Sequence, residues 1–214
     1  MTPRDRIASR RLYLVAGARG GGPGLKAFLD AALRGGVDVV QLRDKTLDDD
    51  GLVAAARAFR AAADAHGALF VLNDRPDLVA ACRADGVHVG QDDATPAEAR
   101  HAVGPDRIVG RSTHAPEQAD AAQADPDVDY LAVGPVHETP TKPGRPAAGL
   151  DYVAYATRTV TKPWFAIGGL DTANVDAVLE RGAQRIVVVR AIAAAADPEA
   201  AARALGERLG AART

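Results

Sequence analysis

The sequence predicts a (β/α)8 barrel, and three observations carry the prediction. Short apolar, β-branched runs alternate with longer alanine-rich helical patterns along the whole chain. Eight such pairs can be counted. They fill 214 residues with no linker or break in composition between them, which suits a closed barrel better than an open doubly wound sheet. A βαβα order also demands parallel strands joined by right-handed crossovers. We therefore expect one domain over residues 1–214, with strand one starting near residue 11 and the last helix ending near residue 208.

Taken in order, the strands are expected at RLYLVA (11–16), VDVVQL (37–42), ALFVLN (68–73), GVHVG (86–90), RIVG (107–110), VDYLAVG (128–134), PWFAIG (163–168) and QRIVVV (184–189). Helices are expected to begin near Leu25, Asp48, Pro76, Thr95, Ala115, Leu150, Asp171 and Ala195. The eight units share no recognisable sequence. One connection differs from the rest: GPVHETPTKPGRPAAG, after strand six, carries Pro135, Pro140, Pro143 and Pro146. It is too rich in proline and glycine to be helical and too long for an ordinary βα turn, so a functional loop or lid is expected there.

Bulk properties exclude several classes of function. Hydrophobic residues make up 47% and charged residues 25%, the balance of a soluble globular protein. With 26 basic against 28 acidic side chains, no basic excess calls for nucleic acid. No segment is apolar and long enough for a membrane span, and the first residues lack the apolar stretch of a signal peptide. Cys82 is the single cysteine, which rules out a disulfide framework and fits the cytoplasm. It lies in the helical run DLVAACRA and reads as a small buried residue rather than a nucleophile.

In such a barrel the chemistry collects at the C-terminal strand ends. Gln41, Arg43 and Lys45 are spaced i, i+2, i+4, so an extended strand aims all three into the mouth, where two cations imply a bound anion. Asp74 and Asp93 end neighbouring strands and suit a magnesium ion, whose shell substrate phosphates and water would complete. Asp92 is an alternative to Asp93, and helix capping is the competing role for either residue. Gly168-Gly169 follows strand seven, where barrel phosphate sites often form from backbone N–H groups. Thr139, Thr141 and Lys142 can add donors from the long loop. His88 reads as a packed strand residue and His114 as the one histidine at the mouth. His66 and His101 read as surface residues at helix ends, and His137 lies in the long loop. No histidine pair has zinc-ligand spacing, and Ser112 lacks the GxSxG context of a hydrolase.

In this order, QLRDK, the Asn-Asp after strand three, GVHVGQDD, GRSTH, VGPVHETPTK with Gly149 downstream, and AIGGL resemble the thiamine-phosphate synthase family, over roughly Leu12 to Ala200. The resemblance implies a (β/α)8 fold and a Mg2+-dependent coupling of hydroxymethylpyrimidine diphosphate to thiazole phosphate. Carried over by motif position, it assigns Gln41, Leu42, Arg43, Asp44, Lys45, Asn73, Ser112 and Lys142 to the pyrimidine diphosphate. Arg43, Ser112 and Lys142 would be its catalytic contacts. Asp74 and Asp93 become the magnesium ligands by the same analogy. Thr139, Pro140, Thr141, Gly169, Val189 and Arg190 would grip the thiazole phosphate. The family is thought to lose diphosphate before attack, through a pyrimidine cation. That agrees with a mouth rich in leaving-group stabilisers and without an obvious nucleophile or strong base.

Three departures from the family pattern stand out. YLVAG replaces YLVTD at strand one, His137-Glu138 replaces an aromatic-proline pair, and Arg190 takes the place of a small residue, usually serine. The expected partners are the two phosphorylated substrates and, in a homodimer, a second copy of the chain. Thiazole tautomerases share the fold and the GRSTH run, but a tautomerase needs neither paired aspartates nor T-x-T-K. A non-catalytic sensor of thiamine precursors is the alternative from another class.

Overall fold

The computed structural model describes residues 2–139 and 146–211. Eight strands close into a barrel in chain order, every neighbouring pair parallel and β1 hydrogen-bonded to β8. They are β1 (Leu12–Ala16), β2 (Val39–Leu42), β3 (Leu69–Asn73), β4 (Gly86–Val89), β5 (Ile108–Thr113), β6 (Tyr130–Val133), β7 (Trp164–Ile167) and β8 (Ile186–Val188). Each observed strand falls within, or extends by a few residues, the run that predicted it. The helices are α1 (Pro3–Arg6), α2 (Gly22–Arg34), α3 (Asp49–His66), α4 (Val79–Cys82), α5 (Pro96–Val103), α6 (Pro116–Ala124), α7 (Gly149–Thr159), α8 (Val175–Glu180), α9 (Arg190–Ala193) and α10 (Pro198–Ala211).

Local chemistry explains several helix ends. The Asp48 side chain accepts from Gly51 N at the start of α3, and Gly67, in the left-handed region, stops it. Thr95 opens α5 in a capping box with Glu98. The run DLVAACRA is less helical than expected: a 3-10 turn at Pro76–Leu78 leads into the single turn α4, which Arg83 ends at φ 53°. The last crossover is split, with α9 starting directly after β8 and α10 forming the outer helix.

Two apolar layers result. Alternate strand residues, among them Leu14, Leu42, Leu72 and Val109, pack outward against the helices. The others fill the barrel itself, where Phe165 stands edge to face with Tyr13 and with Tyr130 at 5.5 Å and the two tyrosine rings are tilted at 6.0 Å. Ile7, between α1 and β1, closes the floor of that interior at 1% exposure. The N-terminal segment is thus part of the barrel's packing, a role its sequence did not suggest.

The floor also holds a repeat that the sequence reading missed. Asp38, Asp85 and Asp129 each stand immediately before an even-numbered strand. Each accepts from the backbone at the start of the preceding odd strand: Leu12 N at 3.1 Å, Phe70 N at 2.8 Å and Val109 N at 2.8 Å. Arginines brace two of them, Arg60 on Asp85 and Arg100 on Asp129. Burial pushes the Asp38 carboxyl up to about 6, against the pull of the Arg11 amide and the Arg10 charge. A carboxyl raised in the folded state contributes most below the unfolded value of 3.8, and that contribution is lost as pH rises through about 6. Wild type should therefore lose roughly 2 kcal/mol relative to Asp38→Asn between pH 4 and 7. Urea unfolding of both proteins across that window checks this; a pH-independent difference would contradict it.

Candidate functional site

A cavity of about 340 Å3 opens at the C-terminal ends of the strands, the end at which barrels of this type place their chemistry. Strand alternation aims Gln41, Arg43, Asn73 and Ser112 into it, and Thr139, Gly169, Val189 and Arg190 line it from the loops. Neither Arg43 nor Arg190 makes an ion pair among the described residues. Three other expected contacts sit elsewhere. Leu42 is fully buried and faces the helices. Asp44 ties the loops after β1 and β2 together, accepting from Ala18 N at 3.0 Å and from the Thr46 hydroxyl at 2.6 Å, and the Thr46 bonds hold its carboxyl below the usual value. Lys45 stands on the rim, 3.3 Å from Asp74. Pro140, Thr141 and Lys142 lie outside the described residues.

The two aspartates singled out at the strand ends meet. Asp74 has left-handed backbone geometry, φ 61°, a conformation Asp tolerates better than most residues. Its N–H donates to His88 O at 2.8 Å. The Asp93 carboxylate accepts from Gly90 N at 2.8 Å, inside its own loop. A Cβ on Gly90 would stand 2.7 Å from the same oxygen and would displace the carboxylate. Burial first, and the adjoining Asp93 carboxylate second, push the Asp74 carboxyl above its ordinary value, with Lys45 opposing. Neither aspartate caps a helix, because Thr95 caps α5 and the turn after Asp74 has no side-chain cap. Among the described residues, no group of three or more His, Cys, Asp or Glu side chains forms a cage for a metal ion.

The barrel interior supplies residues that the strand-end reading missed. Gln41 Nε2 donates to Tyr13 Oη at 2.6 Å, and Tyr13 Oη lies 3.0 Å from Tyr130 Oη. Tyr130 Oη lies 2.9 Å from His88 Nδ1, and His88 Nε2 lies 2.9 Å from Ser112 Oγ. All five side chains line the cavity. Burial raises both phenols well above their usual value, so both keep their protons. The period-two alternation that selected Gln41 selects Tyr13, His88 and Tyr130 as well, and that signal was available in the sequence. Gly110 opposite Tyr130 is required: a Cβ there would lie 2.2 Å from the ring.

The turn after β7 also has a packing reason for glycine at Gly168. Val136 N donates to Ile167 O at 2.8 Å and His137 N to Gly168 O at 3.1 Å, so the long loop begins by pairing with the β7 turn. A Cβ on Gly168, at φ 115°, would meet Pro135 Cα at 2.5 Å. Close approach of two backbones demands that glycine whether or not an anion is present. His114 Nδ1 donates to Gly134 O, which fixes the imidazole at the mouth and makes Nε2 its acceptor.

Comparisons with known proteins agree with one another. The profile described as thiamine monophosphate synthase matches residues 12–192. The chain is 59% identical over 203 residues to the thiamine-phosphate synthase of Thermus thermophilus, covering 93% of this chain and 97% of that one. It is 54% identical over 209 residues to that of Thermobifida fusca, covering 97% and 96%. Among solved structures, thiamine phosphate pyrophosphorylase from Pyrococcus furiosus superposes with a TM-score of 0.86 at 28% identity, over 97% of this chain and 99% of that one. A 3-hexulose-6-phosphate synthase from Salmonella typhimurium, at 19% identity and TM-score 0.68 over 94% and 99%, shares the fold alone.

Proposed function

The chain belongs to the thiamine monophosphate synthase family and is an enzyme of thiamine biosynthesis that joins a pyrimidine to a thiazole, and from that premise we propose which residues do what. The pyrimidine enters as 4-amino-5-hydroxymethyl-2-methylpyrimidine diphosphate and the thiazole as 4-methyl-5-(2-phosphoethyl)thiazole, free or carboxylated; thiamine phosphate and diphosphate leave. The observation that carries this reading is the meeting of Asp74 and Asp93 beside a cavity whose own Arg43 and Arg190 have no carboxylate partner among the described residues. Such a site has charge for two anions and a place for one hard cation.

Two abutting carboxylates repel unless a shared proton or a cation lies between them, and a pair without further ligands suits Mg2+, which takes the rest of its shell from water and phosphate. Asp74 and Asp93 would hold it, and bound there it would neutralise charge building on the departing diphosphate. Arg43, Lys45 and Lys142 add positive charge to the same diphosphate, Gln41 and Asn73 orient the pyrimidine, and Ser112 donates from the cavity wall. With so many groups placed to stabilise the leaving diphosphate, its departure ahead of attack by the thiazole nitrogen is the sequence that these groups favour. Thr139, Thr141, Gly169 and the Val189-Arg190 backbone would take the thiazole phosphate. No helix among the described residues is long and apolar enough to cross a membrane, and we assign the enzyme to the cytoplasm. Incubation with both substrates and Mg2+, followed by mass detection of thiamine phosphate and diphosphate, tests the whole reading. Diphosphate-free binding alone would point to a sensor, and rearranged thiazole without coupling to a tautomerase.

Arg190 gives this chain an individual feature at the thiazole end. It stands where relatives are expected to carry a small residue, and it lines the cavity at the start of α9. A guanidinium fork matches phosphate, and one partly exposed charge-assisted hydrogen bond is worth roughly 1.5 kcal/mol, about tenfold in binding. Arg190→Ser should raise KM for thiazole phosphate about tenfold and leave that for the pyrimidine diphosphate nearly unchanged. An unchanged thiazole KM places the side chain in solvent, and a larger effect on the diphosphate reverses the two subsites.

A further inference from the structure

The chain Gln41–Tyr13–Tyr130–His88–Ser112 crosses the barrel interior with four hydrogen bonds of 2.6–3.0 Å and both of its ends on the cavity. Its members sit on five different strands, β2, β1, β6, β4 and β5, so neither sequence proximity nor helix capping accounts for it. The three middle groups are each donor and acceptor at once, and each phenol has a single proton to give. Their order is therefore decided as a unit. Gln41 Nε2 donates to Tyr13, which leaves the Tyr13 proton for Tyr130 and the Tyr130 proton for His88 Nδ1. His88 is then the Nε2–H tautomer and donates to Ser112 Oγ. The Ser112 proton is left to donate into the cavity, while Gln41 Oε1 is left to accept from it. Turning the Gln41 amide over reverses every bond: Gln41 then donates to the ligand and Ser112 accepts from it. With a neutral His88, mixed arrangements put two protons, or none, in one of the buried contacts, which is costly away from water.

We infer that Tyr13, Tyr130 and His88 are positioning residues that couple the two ends of the substrate, so that Gln41 accepts from a ligand donor only when Ser112 donates to a ligand acceptor. The inference rests on the proposed pyrimidine diphosphate as occupant. An exocyclic amino group at one end and an electron-rich acceptor at the other match only the polarity in which His88 carries its proton on Nε2. A pyrimidine lacking the amino group no longer selects that polarity, and the Ser112 hydroxyl then contributes less to its binding.

The test is a cycle on kcat/KM using the pyrimidine diphosphate and its desamino analogue, each with wild type and Ser112→Ala. In wild type, Ser112→Ala should cost about fivefold more with the amino substrate than with the analogue, the worth of roughly one hydrogen bond. With Tyr130→Phe as background, which keeps the ring over Gly110, that ratio should fall to within twofold of one. Tyr13→Phe breaks the chain elsewhere and should do the same, so a poorly folding Tyr130→Phe does not remove the test. A purely structural role would lower kcat/KM for both substrates and keep the fivefold ratio, which overturns the coupling. Nitrogen NMR of labelled His88 gives a readout apart from turnover. With pyrimidine diphosphate bound, Nε2 should carry the proton, and an Nδ1–H imidazole in the complex would overturn the polarity. Wild type that binds no pyrimidine diphosphate would instead sink the substrate assignment and the coupling with it. Turnover without the fivefold ratio would sink the coupling alone.

Discussion

Asp74→Asn should lower kcat by at least about a hundredfold, and Asp93→Asn should do the same, because on the proposed reading each helps hold the cation that offsets charge on the departing diphosphate. Asparagine keeps the size of the side chain and, at Asp74, tolerates the φ of 61° that the backbone adopts. The loss is thus one of charge, with the turn preserved. Asp92, exposed and beside the pair, should tolerate the same change with a mild effect. Stability should move the opposite way. The Asp74 carboxyl is raised by burial and by Asp93, so its charged form is disfavoured in the metal-free fold. That cost grows as pH rises through the elevated value. Asp74→Asn should therefore melt at or above the wild-type temperature at neutral pH without metal, and it should gain less from added Mg2+ than wild type does. Thermal melts with and without Mg2+ check this beside the kinetics. An Asp92→Asn variant that proved the worst of the three, or an Asp74→Asn variant with full Mg2+ stabilisation, would refute the assignment.

Gly110→Ala should damage both the fold and the site. Its Cβ would stand 2.2 Å from Tyr130 Cζ and 2.5 Å from the hydroxyl oxygen. The ring cannot retreat, since it is fully buried with Phe165 and His88 each at 5.5 Å and Tyr13 at 6.0 Å. Overpacking of this kind costs about 1–3 kcal/mol, or roughly 3–10 °C in melting temperature for a chain of this size. Activity should fall tenfold or more, because a displaced Tyr130 hydroxyl releases His88 and, through it, Ser112. Adding Tyr130→Leu makes room for the methyl group and should restore much of the stability but not the activity. An alanine variant as stable and active as wild type would show that the interior has slack the geometry does not indicate.

The positions of the strands and their order were legible in the sequence because parallel barrel strands are buried on both faces and read as unbroken apolar runs. The same alternation delivered Gln41, Arg43, Asn73 and Ser112 to the cavity. It would have delivered Tyr13, His88 and Tyr130 too, but a residue inside a strand reads as packing unless its polar end is followed to a partner, and those partners lie on other strands. The family pattern named Leu42 and Asp44 as contacts, yet one faces the helices and the other braces two loops. A motif marks a segment, and which side chains of that segment reach the cavity depends on the pleat and the turn.

Local sequence determined the parallel barrel, the caps at Asp48 and Thr95 and the mouth at the C-terminal strand ends, since each follows from periodicity or from bonds that close within a few residues. Tertiary structure alone decided what depends on distant segments meeting. It brought Asp93 against Asp74, set Asp38, Asp85 and Asp129 under their neighbouring strands and drew five polar side chains into one line across the interior. It also made Gly168 obligatory through its contact with Pro135. Each of these rests on through-space contact between residues far apart in the chain, and the closing of eight strands into one ring is what sets those distances.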